Sequence, residues 1–279
     1  TEKKKQPVRY PTFDELRVED EEEAPAIMLT VTDGDGNVVR KLTGSNSKGI
    51  NRTIWDLRYP LPYLASPPPP GSDDEPEGGP MVMPGKYTIT LSKKVNGIVT
   101  PLGEPQTFTA FVPEQENMIL EDRKMLVEFQ KKAAKLQRVF SGASQMAGEL
   151  KNRLGSIKRA LQETPASMDN LMIEALSIEN RLNYIICNFR GDQTKRSRNE
   201  NSQPSISDRV NKAVYDMSSS TSRPTQTVQD AYNFANEEFT IELQKLRNIV
   251  ETDLPKLEKA MEAAGAPWTS GRLPEWKGE

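Results

Sequence analysis

An apolar side chain recurs at every third or fourth residue between Leu126 and Leu161, and this spacing constrains the fold more than any other feature. The positions carry Leu, Ile, Phe or Ala and are residues 126, 129, 133, 136, 140, 143, 147, 150, 154, 157 and 161. A strand repeats at every second residue, so a 3-4 spacing over about five heptads indicates one long helix of a coiled coil or bundle. At 1.5 Å per residue, a helix over residues 116–162 would be roughly 70 Å long.

Further helical patterns follow this apolar stripe. Pro165 ends the first helix, because the residue before a proline resists the α conformation. Three more stripes predict helices at about residues 167–190, 206–217 and 224–264. Pro255 is expected to kink the last of these or to restart it, with Thr252 or Asp253 as the cap. Short connections favour antiparallel neighbours, so we predict an antiparallel helical bundle of three or four helices over residues 113–264.

The chain before this region has the patterns of β-strands. Short β-branched runs bounded by turn residues occupy residues 26–32, 38–42, 53–57, 87–91 and 107–112. The Asp/Gly-rich residues 33–37 between the first two runs are a strong hairpin signal. Tyr87, Ile89 and Leu91 alternate with threonines, the period of a half-buried strand. About six or seven such strands predict an antiparallel β-sandwich over residues 26–112.

The fold class is therefore α+β and multidomain, a sandwich followed by a bundle. Residues 1–25 are interpreted as a linker or extended N-terminal segment, and the proline-rich residues 66–80 as a surface loop. Residues 265–279 form a C-terminal tail with Trp268 and Trp276, the two candidate interaction residues. These rings either fasten the tail to the protein or present aromatic surface to a partner, and we favour fastening.

Composition excludes several kinds of chemistry. The chain has no histidine and a single cysteine, Cys187. It therefore cannot form a Ser-His-Asp triad, a Cys-His pair, an imidazole metal site or an internal disulfide. Cys187 is interpreted as a packed, inert thiol. We predict no catalytic residues, no cofactor and no metal site, and so a protein that is not an enzyme.

Charge and hydropathy exclude two kinds of partner. The 37 basic and 40 acidic residues nearly cancel, which argues against nucleic-acid binding. No apolar stretch approaches the length of about 20 residues that membrane insertion requires.

One possible ion site stays open at this point. Asp33, Asp35 and Asn37 have the alternating oxygen ligands of a calcium loop. An EF-hand also needs a carboxylate at its twelfth position, where this chain has Gly44. A hairpin turn accounts for the same residues without a metal, and we favour the turn.

Several strings resemble a known combination of domains. Residues 33–42 (DGDGNVVRKL), 49–59 (GINRTIWDLRY) and 84–89 (PGKYTI) resemble the Ig-like domain of flagellar hook-capping proteins. Residues 250–257 (VETDLPKL) and 263–274 (AAGAPWTSGRLP) complete a likeness to the C-terminal region of bacterial sortilin-type, BNR-repeat β-propeller proteins that carry the label of glycosyl hydrolases. The resemblance implies an Ig-like β-sandwich with Trp55 and Tyr87 in its core.

The resemblance also implies a role and a location. The Asp-box signal of propeller blades, Ser-x-Asp-x-Gly-x-x-Trp, does not occur in this sequence, so any glycosidase activity would belong to the propeller. The chain is then expected to be a non-catalytic structural and interaction region, C-terminal to a β-propeller. It would brace the propeller or dock it to a cell-envelope or secreted partner, in a secreted or envelope protein of a bacterium. The alternative is an accessory carbohydrate-recognition region of a glycosyl hydrolase.

Overall fold

The computed structural model describes residues 10–60, 79–112, 118–164, 169–218, 220 and 222–272. These residues form two compact units. The β unit contains residues 10–60 and 81–112, and the helical unit contains the described residues from Met118 to Arg272. Most of the predicted proline-rich loop, residues 66–78, lies outside the described part of the chain. No described helix combines the length and the apolar character needed to cross a bilayer.

The β unit is built on one antiparallel sheet. Its described strands are β1 (Ala26–Thr32), β2 (Val38–Gly44), β3 (Gly85–Val95), β4 (Ile98–Pro101) and β5 (Gln106–Ala110). They lie in the order β2-β1-β3-β4, and β5 also pairs with β3. Leu29 of β1 pairs with Leu42 on one side and with Leu91 on the other. Because side chains alternate between faces along a strand, such pairs place apolar residues on one face of the sheet.

Aromatic side chains fill the core of this unit. The Tyr87 ring lies 5.7 Å from the Trp55 ring in an edge-on arrangement and 5.8 Å from the stacked Phe108 ring. The Trp55 indole N–H donates to the Arg58 carbonyl at 3.0 Å. Burial, followed by the charges of Tyr59 and Asp33, raises the pKa of Tyr87 to about 12. Tyr87 is thus buried in the core of this unit, and the partly buried Trp55 packs against it.

Three local features differ from the sequence interpretation. The predicted strand at residues 53–57 is not a strand, because Leu57 has a left-handed φ of 58° and only Arg58 pairs, with Met81. A hairpin between β3 and β4 was missed, although Asn96 and Gly97 supply the two positive φ angles (50° and 76°) of a tight turn. Helix α1 (Phe13–Asp20), with a Thr12 capping box, lies within the segment interpreted as a linker or extended.

The helical unit is built on α2, one helix of 43 residues. The helices that follow α1 are α2 (Leu120–Gln162), α3 (Asp169–Arg190), α4 (Gln193–Arg196), α5 (Ile206–Ser218), α6 (Gln226–Asn248) and α7 (Leu254–Ala263). At 1.5 Å per residue, α2 is about 65 Å long. The predicted helix, residues 116–162, ends at the same residue as α2 and differs from it only in where it begins.

The predicted apolar stripe of α2 is confirmed as its buried face. Ten of its eleven positions are buried, and Leu154 and Ile157 are completely inaccessible. The eleventh, Phe129, is partly buried and lies 5.8 Å from the Tyr232 ring of α6. Apolar burial of this kind is the main source of helix stability in a protein of ordinary helix propensity.

Pairs of contacting residues fix the directions of the packed helices. On α3, Phe189 meets Phe140 of α2, and Glu179 binds Lys158 of α2 at 2.7 Å. From the first contact to the second, the residue number increases along α2 (140 to 158) and decreases along α3 (189 to 179). The two helices are therefore antiparallel. Helices α5 and α6 also pack together. Ser205 caps α5, since its hydroxyl accepts from the Asp208 amide at 3.2 Å and Asp208 accepts in return.

The expected break at Pro255 takes a different form. A π-helical turn, Ile249–Asp253, joins α6 directly to α7, and Pro255 lies in the first turn of α7. The helix is continuous here, and the π-helical turn accommodates the proline: the Leu254 amide, just before Pro255, donates to the Ile249 carbonyl five residues back, so the usual hydrogen-bond register is already shifted. Asp253 is one of the two predicted caps, but its side chain makes no capping bond. It binds Arg181 of α3 at 2.8 Å instead.

Candidate interaction site at the C-terminal segment

The C-terminal segment, residues 264–272, begins with a glycine turn at the end of α7. Gly265 has a φ of 70°, and its amide donates to the Glu262 carbonyl at 3.0 Å. The Ala266 amide donates to the Met261 carbonyl at 3.0 Å. A left-handed glycine just past a helix end is a common helix terminator, and Pro267 prevents further helix. The chain therefore leaves the axis of α7 at this point.

Two arginines fasten the segment to α2 and α7. Arg153 of α2 donates to the Gly271 carbonyl at 2.9 Å and lies 2.6 Å from the Glu258 carboxylate of α7. Arg272 donates to the Glu258 carbonyl at 3.3 Å and to the Pro267 carbonyl at 3.0 Å. The Arg153–Glu258 pair is largely buried, with side-chain exposures of 28% and 12%. The two arginines therefore hold the C-terminal end of the segment, at Gly271 and Arg272, against α2 and α7.

Trp268 is fastened and partly exposed at the same time. Its indole N–H donates to the Arg272 carbonyl at 3.0 Å, and the Arg272 guanidinium lies 4.4 Å from its ring centroid. The residue is still 44% exposed. The ring therefore both helps to fasten the C-terminal segment and presents aromatic surface to solvent, so the two interpretations of Trp268 are compatible. Trp276, the other candidate interaction residue, lies outside the described residues.

Replacing Gly271 by alanine is expected to release this segment. Gly271 has a φ of 90°, and an added Cβ would lie 2.8 Å from the Arg153 guanidinium carbon. The side chain would therefore add left-handed strain of about 1 kcal/mol and displace Arg153 from the Gly271 carbonyl. Hydrogen exchange of residues 264–272, followed by mass spectrometry, should become at least several-fold faster.

Gly265→Ala is the matched control for this substitution. Gly265 also has a positive φ, 70°, but its added Cβ would meet nothing within 4 Å. It should fray the end of α7 and leave the contacts of Arg153 intact. Equal acceleration at residues 268–272 in both variants would show that backbone strain, rather than the Arg153 contact, controls the segment.

The Asp33 loop has the hydrogen bonds of a turn. The Asp33 carboxylate accepts from the amides of Asp35 at 3.1 Å and Asn37 at 2.8 Å, and from the Asn37 side chain at 3.2 Å. The Gly36 amide donates to the Asp33 carbonyl at 3.1 Å. Within the described residues, no group of three or more acidic, Cys or His side chains is arranged to hold a metal ion. The carboxylate that a calcium ion would need is thus engaged by its own loop.

Sequence reasoning missed the residues that hold the C-terminal segment. Arg153 lies off the apolar stripe of α2 and looked like an ordinary surface residue. Glu258 lies on α7 at a polar position. Of these three residues, only Arg272 could have been identified from the sequence. It follows Trp268 by four residues in a Pro- and Gly-rich string, where a cation can reach the indole ring.

Comparisons with known proteins identify no relative of this chain: no family model matches it, and no curated protein or solved structure is significantly similar.

Proposed function

We propose that this chain is a non-catalytic structural and interaction region that lies C-terminal to a β-propeller in its parent protein. It braces the propeller or docks it to a cell-envelope or secreted partner. In this proposal, the β unit is an Ig-like sandwich and the helical unit is an antiparallel bundle with a coiled-coil type of core. Two observations support these assignments. The Trp55 and Tyr87 rings pack together on the described antiparallel sheet, which supports the sandwich. Helices α2 and α3 are antiparallel, which supports the bundle.

The observation that carries the proposal is the Trp268–Arg272 pair. Tryptophan and arginine are among the residues that contribute most to the free energy of protein association. Here the Trp268 ring is half exposed while its N–H and its stacked guanidinium are already held. A side chain that is ordered before binding loses less conformational entropy on association. The pair is therefore suited to be the centre of a contact with another domain or protein.

Photo-crosslinking from position 268 tests the proposal. The full-length gene product would carry a photoreactive phenylalanine analogue at position 268 and be irradiated in its native cells. We expect crosslinked peptides from the β-propeller of the same protein or from an envelope protein, because the ring at this position lies in the contact.

Phe234 is the matched control position for this experiment. It is an exposed aromatic residue of the same unit (51% exposed), with the Arg209 guanidinium 5.2 Å from its ring. If both positions give the same crosslinks, or if position 268 gives none, the interaction proposal is wrong.

The alternative, an accessory carbohydrate-recognition region, would need a row of exposed aromatic rings on the sheet. In the described part of the sheet, Tyr87 and Phe108 pack against each other and against Trp55. Calorimetric titration with soluble oligosaccharides would separate the two proposals, since only the alternative predicts a saturable heat.

A further inference from the structure

A cavity of about 740 Å³ opens in the helical unit between α2 and the segment that leads into α6. Residues 223–226 and Gln229 form the wall on the side of α6. The lining residues from α2 are Met125, Glu128, Phe129 and Lys132. A concave site of this size, which combines apolar surface with a few polar groups, is typical of a small-ligand pocket.

Phe129 and Met125 supply apolar surface to the cavity. The Phe129 ring is partly buried and lies edge-on to the Tyr232 ring of α6 at 5.8 Å. Met125 is 45% exposed, and its flexible thioether side chain can adapt to the shape of a ligand. An apolar group bound here would remove the accessible surface of both side chains from water, which is favourable.

Two cations, Lys132 and Arg223, line the same cavity and are exposed, so a ligand can reach both of them. The Lys132 ammonium lies 4.5 Å from the centroid of the Tyr232 ring. This contact orients the ammonium and leaves its full charge in place. Among the described residues, neither cation is in an ion pair with a carboxylate. Glu128 contributes the one carboxylate of the lining, so one positive charge is in excess.

We propose that this cavity binds an organic anion that carries an apolar group. Its anionic head pairs with Lys132 and Arg223, and its apolar group packs against Phe129 and Met125. The anion supplies the partner that both cations lack, and hydrogen bonds between charged groups are about twice as strong as neutral ones. The same chemistry can come from a free carboxylic acid or from the C-terminal residue of a protein. The site shares no residue with the Trp268 segment, so it is independent of the proposed interaction.

Met125 provides a direct measurement of occupancy, because it lines the cavity. The full chain would carry isotopically labelled methionine methyl groups, and the spectrum of Met125→Leu would assign the Met125 resonance. Phenylpropionate is the probe, and phenylpropanamide, which has nearly the same shape and no charge, is the control ligand. We expect phenylpropionate to shift the Met125 resonance saturably and the amide to bind at least tenfold more weakly.

Matched substitutions assign the binding to the two cations. We expect Lys132→Gln and Arg223→Gln each to lower the affinity for phenylpropionate at least threefold, and the double variant to lower it at least tenfold. Lys135→Gln makes the same change at an exposed position of α2 outside the lining and should leave the affinity unchanged. Circular dichroism would show whether each variant is folded. Arg223→Gln remains informative if loss of the Lys132–Tyr232 contact disturbs the fold.

The peptide acetyl-Gly-Gly-Phe with a free terminal carboxylate separates the two sources of the anion. If it binds as tightly as phenylpropionate, the natural ligand is the C-terminal residue of a protein. If phenylpropionate alone binds, the ligand is a free acid. The proposal is overturned if neither anion shifts the Met125 resonance saturably, if phenylpropanamide binds equally well, or if the folded double variant binds as tightly as the original chain.

Discussion

Replacing Leu154 by alanine is expected to lower the free energy of unfolding of the helical unit by about 2–5 kcal/mol. Leu154 is completely buried at the ninth of the eleven positions of the α2 stripe, within the core shared with α3, α6 and α7. The cost combines the lost transfer of the side chain from water with the cavity it leaves. A domain with a total stability of about 5–15 kcal/mol would lose a large fraction of it. Urea denaturation followed by circular dichroism would measure the change.

Lys151→Ala is the control for this prediction. Lys151 lies three residues earlier on α2 and is exposed, so its replacement should change the stability by roughly 0.5 kcal/mol or less. Leu150→Ala, also on the stripe and 3% exposed, should resemble Leu154→Ala. Arg153 is also off the stripe, but it is unsuitable as a control because it binds Glu258 and Gly271. Equal losses for Leu154→Ala and Lys151→Ala would contradict the assignment of the stripe to the core.

The second large effect is expected at Phe189, where we expect Phe189→Ala to cost about 3–5 kcal/mol. Its ring is 1% exposed and meets the Phe140 ring at 5.4 Å and the Phe239 ring at 5.8 Å. These three rings join α3, α2 and α6, so one substitution weakens the packing of three helices. Mutual orientation of aromatic rings adds about 0.5–1.5 kcal/mol to their burial. Thermal and urea unfolding should both show the loss.

Phe234→Ala makes the same chemical change at the surface. Phe234 is 51% exposed, and its main described contact is the Arg209 guanidinium. Loss of an exposed cation–π contact costs about 0.5–1 kcal/mol. If Phe189→Ala proved no more destabilising than Phe234→Ala, the three-ring cluster would not be part of the core.

The sequence by itself determined the features that repeat along the chain. The stripe of α2 was predictable because an amphipathic helix shows its buried face every 3.6 residues. Strand β1 was placed at residues 26–32, as found, because a β-branched run ends there at an Asp/Gly turn. The Asn96–Gly97 hairpin carried an equally local signal that was overlooked. Each of these features depends on neighbours within a few residues, so composition and spacing suffice to identify it.

Only the tertiary structure decided the features that join distant residues. Arg153 and Gly271 are 118 positions apart, and no periodicity relates them. The strand expected at residues 53–57 is irregular, with Leu57 in the left-handed region and a single bridge from Arg58 to Met81, because strand propensity is decided by the pairing that the rest of the sheet offers. Glu242 of α6 is an ordinary polar residue of an amphipathic helix in the sequence, but in the structure its side chain is only 8% exposed. Burial of a polar group depends on what the whole chain places around it, and local sequence does not contain that information.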